Sequence, residues 1–140
     1  MFILVYPSKK GTMKSRLLPA ILFILSIHFI HAQQVMSKDE FATLIVGKWK
    51  VTEARIGGIK MPASEMGEIT ILFKSDATYV MRDEGQLHNG KWSFNPATQE
   101  LLTDDGEEKE KHKVIKLNKT LLTTETKSQK ETETMTFIRF

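Results

Sequence analysis

The stretch EITILFKSDATYVMR, residues 68–82, carries the pattern from which the fold is read. Ile69, Ile71 and Phe73 alternate with other side chains, Lys74-Ser75-Asp76-Ala77 interrupts them, and Thr78–Arg82 resumes the run with Tyr79 and Met81 in phase. Successive side chains leave a pleated backbone on opposite sides, so a two-residue period predicts a strand with one buried face. Two such runs around four polar or small residues predict a hairpin.

The same grammar extends in both directions. Upstream, Trp49 and Val51 alternate with Lys48, Lys50 and Thr52. Downstream, GQLHNGKWSF (85–94) puts His88, Gly90, Trp92 and Phe94 on one face, with Gly90 free to bend or bulge the strand. Asn95-Pro96-Ala97-Thr98 has type I turn chemistry. ELLTDDGEE, KHKVIKL, TLLTTET and TETMTFIRF follow, separated by short polar turns. Thirteen threonines after residue 32 suit half-buried strands. The expectation is about eight short strands in an up-and-down antiparallel meander that closes into a barrel and leaves no free edge. The apolar last strand, with Met135, Phe137 and Arg139 on one face, is expected to pair with the first. The expected core is Trp49, Val51, Ile69, Ile71, Phe73, Tyr79, Met81, Trp92, Phe94, Leu101, Ile115, Leu117, Leu121, Met135 and Phe137.

Two segments depart from this grammar. In SKDEFATLIVG (37–47), Ser37 and Glu40 have capping-box spacing and Phe41, Leu44 and Ile45 share a helical face. A short helix over 38–46 is predicted, ended by Gly47. RIGGIKMPASEMGE (55–68) is the one long connection, with Gly57-Gly58 as a turn and Met61 and Met66 at its shoulders. It is either a lid over a barrel mouth or a hairpin extension that packs its methionines inward.

A helix, Gly-x-Trp entering the first strand, and a meander of about eight strands together resemble the lipocalin-like, or calycin, superfamily. The likeness is to its short exported bacterial domains. It is carried by GKWKVTE (47–53), ITILFKSDATYVMR (69–82), GKWSFNPATQELLTDD (90–105) and IKLNKTLLTTET (115–126). The resemblance implies that Trp49 closes one barrel end, behind Gly47, and that Arg139 packs over it. It also implies a barrel that binds a small apolar or amphipathic ligand. Where the family tends to have Asp-Gly, this chain has Asp76-Ala77, which puts a side chain where a left-handed residue would be strained.

Met13-Lys14-Ser15-Arg16 followed by the apolar run Leu17–Ile30 and then His31-Ala32 has the layout of an export signal. The run is short for a membrane span and contains Pro19 and His28. Removal of 1–32, with Met13 as the natural start, is expected to leave one domain, 33–140, soluble in the periplasm or outside the cell and near a membrane only during export. The whole chain has 20 basic and 17 acidic residues. Four of the basic ones precede residue 33, so the remainder carries 16 against 17. A nucleic-acid partner is therefore not expected, despite a sequence pI of about 9.1. With no cysteine there is no disulfide, thiolate metal site or lipid-bearing cysteine.

No catalytic constellation stands out. His88 and His112 lack metal-ligand spacing and read as surface residues. TDDGEEKE (103–110) lacks the ligand alternation of a calcium loop and reads as a solvated hairpin tip. Glu53 and Glu68 could be imagined as paired carboxylates, but no spacing argues for it. No threonine sits in a nucleophile context. The chain is expected to have no catalytic residue, metal or cofactor. The first expectation is a binding protein whose ligand sits under the 57–67 loop, touched by Met61, Met66, Phe73, Tyr79, Met81, Trp92 and Phe94. The alternative is a protein-interaction or inhibitor module of the cell envelope.

Overall fold

The computed structural model describes residues 35–140. The expected export segment lies outside them. The elements are a helix α1 (Lys38–Ile45) and strands β1 (Gly47–Ile56), β2 (Ile59–Lys60), β3 (Ile69–Phe73), β4 (Thr78–Asp83), β5 (Gln86–Asn95), β6 (Glu100–Asp104), β7 (Lys109–Leu117), β8 (Leu121–Lys127) and β9 (Thr132–Arg139). All ladders are antiparallel: β2 pairs with β1, β1 with β3, each strand from β3 on with the next, and β9 back onto β1 through Trp49↔Arg139 to Ile56↔Glu133. Eight strands thus close a barrel. The two-residue β2 lies outside that count, folding back on Arg55 and Ile56 of β1. Among the described residues no helix is long and apolar enough to cross a membrane.

The 55–68 connection is a hairpin extension of β1 followed by one 3-10 turn, Ala63–Glu65. Glu53 holds it down with bonds to Arg55 (2.7 Å) and Lys60 (3.1 Å), which keep its carboxyl below the usual range. Glu68 instead faces Lys50 at 3.5 Å, so the two glutamates are not a carboxylate pair.

One barrel end is plugged. The Ser37 hydroxyl accepts from the Glu40 amide at 3.2 Å and starts α1. Phe41 drops into the barrel and stacks on Phe94 at 3.9 Å, with Trp92 6.1 Å away. The helix ends at Ile45, one residue before the expected end at 46. Val46 leaves it with extended backbone, and Gly47 already belongs to β1. Gly47 has φ +139°, and a Cβ there would collide with the Arg139 guanidinium. That guanidinium lies 4.4 Å over the Trp49 ring and donates to the carbonyls of Val46 (2.7 Å), Leu44 and Lys119 (2.7 Å). It thereby satisfies carbonyls that the helix end leaves orphaned.

Several inward positions differ from simple alternation. Ile115 is exposed and Val114 is buried, because β7 carries an extra residue between Val114 and Lys116 that resets its phase. Leu122, not Leu121, is buried, because it pairs with the inward Phe137. Gly90 is not a bulge; it pairs with Tyr79 in an unbroken ladder to β4, and the ladder to β6 starts at the next residue, Lys91. It is a close-approach site instead, where a Cβ would lie 2.6 Å from the Tyr79 ring. Ala77 has φ +65°, the left-handed turn position expected at Asp76-Ala77, and Asp76 supports it by accepting from Thr78.

Candidate functional site: the open half of the barrel

The end opposite α1 is not plugged. A cavity of about 210 Å³ enters there between strands β3, β4 and β6–β9. Its floor is Phe73, Tyr79, Leu101, Leu122 and Phe137, all buried. Toward the mouth the inward positions of the same strands turn polar. They are Asp83 on β4, Thr103 on β6, Glu110 and His112 on β7, Thr124 and Thr126 on β8, and Glu133 on β9. The two-residue period that buries Val114 also points His112 and Glu110 inward.

His112 is the centre of this wall. Its Nε2 lies 3.0 Å from the Thr103 hydroxyl and its Nδ1 2.7 Å from the Thr126 hydroxyl. The ring side chain is only 19% exposed. Burial pulls its pKa below the ordinary imidazole value. The Glu110 carboxylate 3.4 Å from Nε2 favours the imidazolium, but it belongs to a half-exposed side chain and does not offset the burial. The ring is neutral, held between two hydroxyls that can each donate or accept.

The carboxylates are shifted the other way. Burial raises Glu110, helped by the charges of Glu108 and Asp105. Burial raises Glu133, helped by Glu110. Burial also raises Tyr79, and Asp105, Glu110 and Asp104 add to it. The charge of Glu110 thus reaches Glu133 across the mouth. The nearby turn carboxylates are occupied locally: Asp105 accepts from the Glu107 and Glu108 amides, and Asp104 from the Gly106 amide.

Linkage follows from these directions. The depressed His112 pKa contributes stability that is present above the unfolded value near 6.5 and is lost as pH falls through the folded value. Glu110 and Glu133 contribute stability present below about 4.5 and lost as pH rises through their folded values. His112→Gln is expected to abolish the stability loss between pH 7 and the folded pKa, whose slope is at most about 1.4 kcal/mol per pH unit. Glu110→Gln and Glu133→Gln are expected to stabilise the protein at pH 7 and to do nothing at pH 3. Urea unfolding across pH checks both; a pH dependence unchanged by His112→Gln would refute the first.

Of the residues expected to touch a ligand, Phe73, Tyr79 and Met81 line the cavity. Trp92 and Phe94 do not; they belong to the plug, against Phe41. Met66 packs on the core from outside the lining, and no described side chain of 57–67 reaches it, Met61 included. Met61 continues the hairpin, its amide bonded to the Ala54 carbonyl at 2.9 Å. The residues missed by the sequence reading are the polar ones: His112, read as a surface residue, with Glu110, Glu133 and the three threonines. The alternation Glu110-His112-Val114 was the available signal.

A Thr103 hydroxyl 3.0 Å from an imidazole has nucleophile–base spacing. In such sites a carboxylate orients the ring from its other nitrogen. Here the neutral Thr126 hydroxyl holds that place, and Glu110 sits on the same nitrogen as Thr103. The wall is better suited to holding a polar group than to activating a nucleophile. No group of three or more metal-ligating side chains occurs among the described residues. No family model, curated protein or solved structure matches the chain.

Proposed function

We propose that this chain is a non-catalytic, lipocalin-like binding protein, exported to the periplasm or beyond, that holds a small amphipathic molecule in the open half of its barrel. The observation that carries this reading is the cavity itself, with an apolar floor and hydrogen-bonding groups converging near its mouth, the usual make-up of a small-molecule site. The closed eight-stranded meander and the Trp49–Arg139 closure support the lipocalin-like part. A 150 Å³ apolar cavity holds benzene, so 210 Å³ suits a guest of roughly eight or nine non-hydrogen atoms, with longer ones emerging at the mouth.

The test is native mass spectrometry of the protein with 2-phenylethanol, alongside Thr124→Phe, which puts an aromatic ring into the space. A one-to-one complex is expected for the wild type and its loss in the variant. Failure of the wild type to bind, or equal binding by Thr124→Phe, would refute an interior site.

One observation favours the envelope interaction module instead. Leu87 and Phe140 are exposed on the outer wall and share a shallow groove with Lys48, Lys74 and Arg82. A partner seated there would still bind Thr124→Phe.

A further inference from the structure

We infer that the guest is a small amphipathic cation, an apolar body of roughly eight or nine non-hydrogen atoms bearing an ammonium group. The inference rests on the barrel-interior reading above and deepens it.

Three observations set the chemistry. First, the cavity has direction. Phe73, Leu101, Leu122 and Phe137 form an apolar floor near the plug, while Asp83, Glu110 and Glu133 stand toward the ends of their strands at the mouth. A guest is therefore oriented, body inward and head outward. Second, the charge at the head is of one sign. Three carboxylates line the space, no described lining residue is Lys or Arg, and the only other titratable nitrogen, on His112, is in a neutral ring. An anionic head would meet carboxylates with no counter-charge, and a neutral head would leave their mutual repulsion in place. Third, the wall keeps polar capacity inside the barrel. Thr124 is only 6% exposed and lines the cavity, so a hydroxyl-bearing side chain stands within the buried part of the wall. The same wall holds the Thr103–His112–Thr126 chain, whose hydroxyls can turn to accept from an ammonium.

An ammonium has three donors and no acceptor. Placed between Glu110 and Glu133, it would give each carboxylate an opposite charge and offset the repulsion that Glu110 exerts on Glu133. A bare metal ion does not fit as well, since the described residues offer no cluster of three ligating side chains and the floor would stay unfilled.

The experiment compares three probes of nearly equal shape by isothermal titration at pH 7: 2-phenylethylammonium, 2-phenylethanol and phenylacetate. The ammonium is expected to bind about fivefold tighter than the alcohol, the effect of one partly exposed charge pair near its upper range, with phenylacetate weaker than both. In the Glu110→Gln, Glu133→Gln double variant the advantage of the ammonium over the alcohol is expected to fall to about twofold or less. If the alcohol binds and the ammonium gains nothing over it, or phenylacetate binds best, the cation inference is overturned while the interior site stands. If an ammonium advantage survives the double variant, the carboxylate assignment is overturned. If no probe binds, this inference falls together with the reading beneath it.

Discussion

Trp49→Ala is expected to lower the unfolding free energy by about 4 kcal/mol, the cost of truncating a large buried aromatic. Trp49 has no exposed surface. Its indole donates to the Ile45 carbonyl at 2.7 Å, so the side chain ties β1 to the end of α1. Arg139 works on the same junction from the other side. Arg139→Ala removes a cation–π contact of about 0.5–2 kcal/mol and leaves helix-end carbonyls without a donor. A loss of about 3 kcal/mol is expected from that single change. Arg139→Lys is expected to recover less than half of it, because an ammonium cannot serve several carbonyls as a planar fork does. The decisive measurement is the double variant. Both side chains act on one closure, so their losses are expected to fall short of additivity by about 1–2 kcal/mol. Additivity within about 0.5 kcal/mol in urea unfolding would mean that they support the barrel independently.

The alternation at 68–82 was enough to read the hairpin, and its repetition was enough to read a closed meander, because period two is a local property of strands. Two features were not local. The bulge in β7 reset the inward phase at Ile115, and nothing in KVIKL marks where an extra residue sits. The phase of β8 was ambiguous at Leu121-Leu122, two adjacent leucines of which only pairing with Phe137 selects one. The cavity lining was legible only in part, Phe73, Tyr79 and Met81 but not its polar wall, for a related reason. Large apolar side chains were taken as the lining, but in a barrel plugged at one end those nearest the plug fill it. Trp92 and Phe94 are spent on Phe41, and the open half is lined by Thr, Glu and His whose polarity made them look external. A strand whose inward face turns from apolar to polar along its length is the mark of a half-open barrel, and β7, β8 and β9 all show it.

Under the proposed function, that division would separate stability from binding. The plug consists of Phe41, Trp49, Trp92 and Phe94, with Arg139 outside it, and none of these lines the cavity. The mouth groups, by contrast, are unfavourable to the fold at neutral pH: Glu110 is raised by burial and by Glu108 and Asp105, and Glu133 by burial and by Glu110. Carboxylates raised by burial beside a buried imidazole in one cavity are consistent with the ligand site proposed above.

Phe41→Ala tests the separation directly. Phe41 is fully buried and lies flat on Phe94, with ring planes 2° apart, and it is the main aromatic that α1 sends into the barrel. Its removal is expected to destabilise the protein by about 4–5 kcal/mol, from the cavity left behind and the lost ring pairing. Against a total of about 5–15 kcal/mol that is a large share, so the melting temperature should drop by well over 10 °C. Phe41→Leu, which keeps most of the volume, should lose about half as much. Yet the mouth strands are held by their own ladders, β6 to β9, and by the His112 bridge. At 10 °C, where the variant remains mostly folded, 2-phenylethylammonium affinity is therefore expected to stay within about threefold of wild type. A loss of affinity in proportion to the loss of stability would show that plug and mouth form one cooperative unit, and that the cavity cannot be described without the helix.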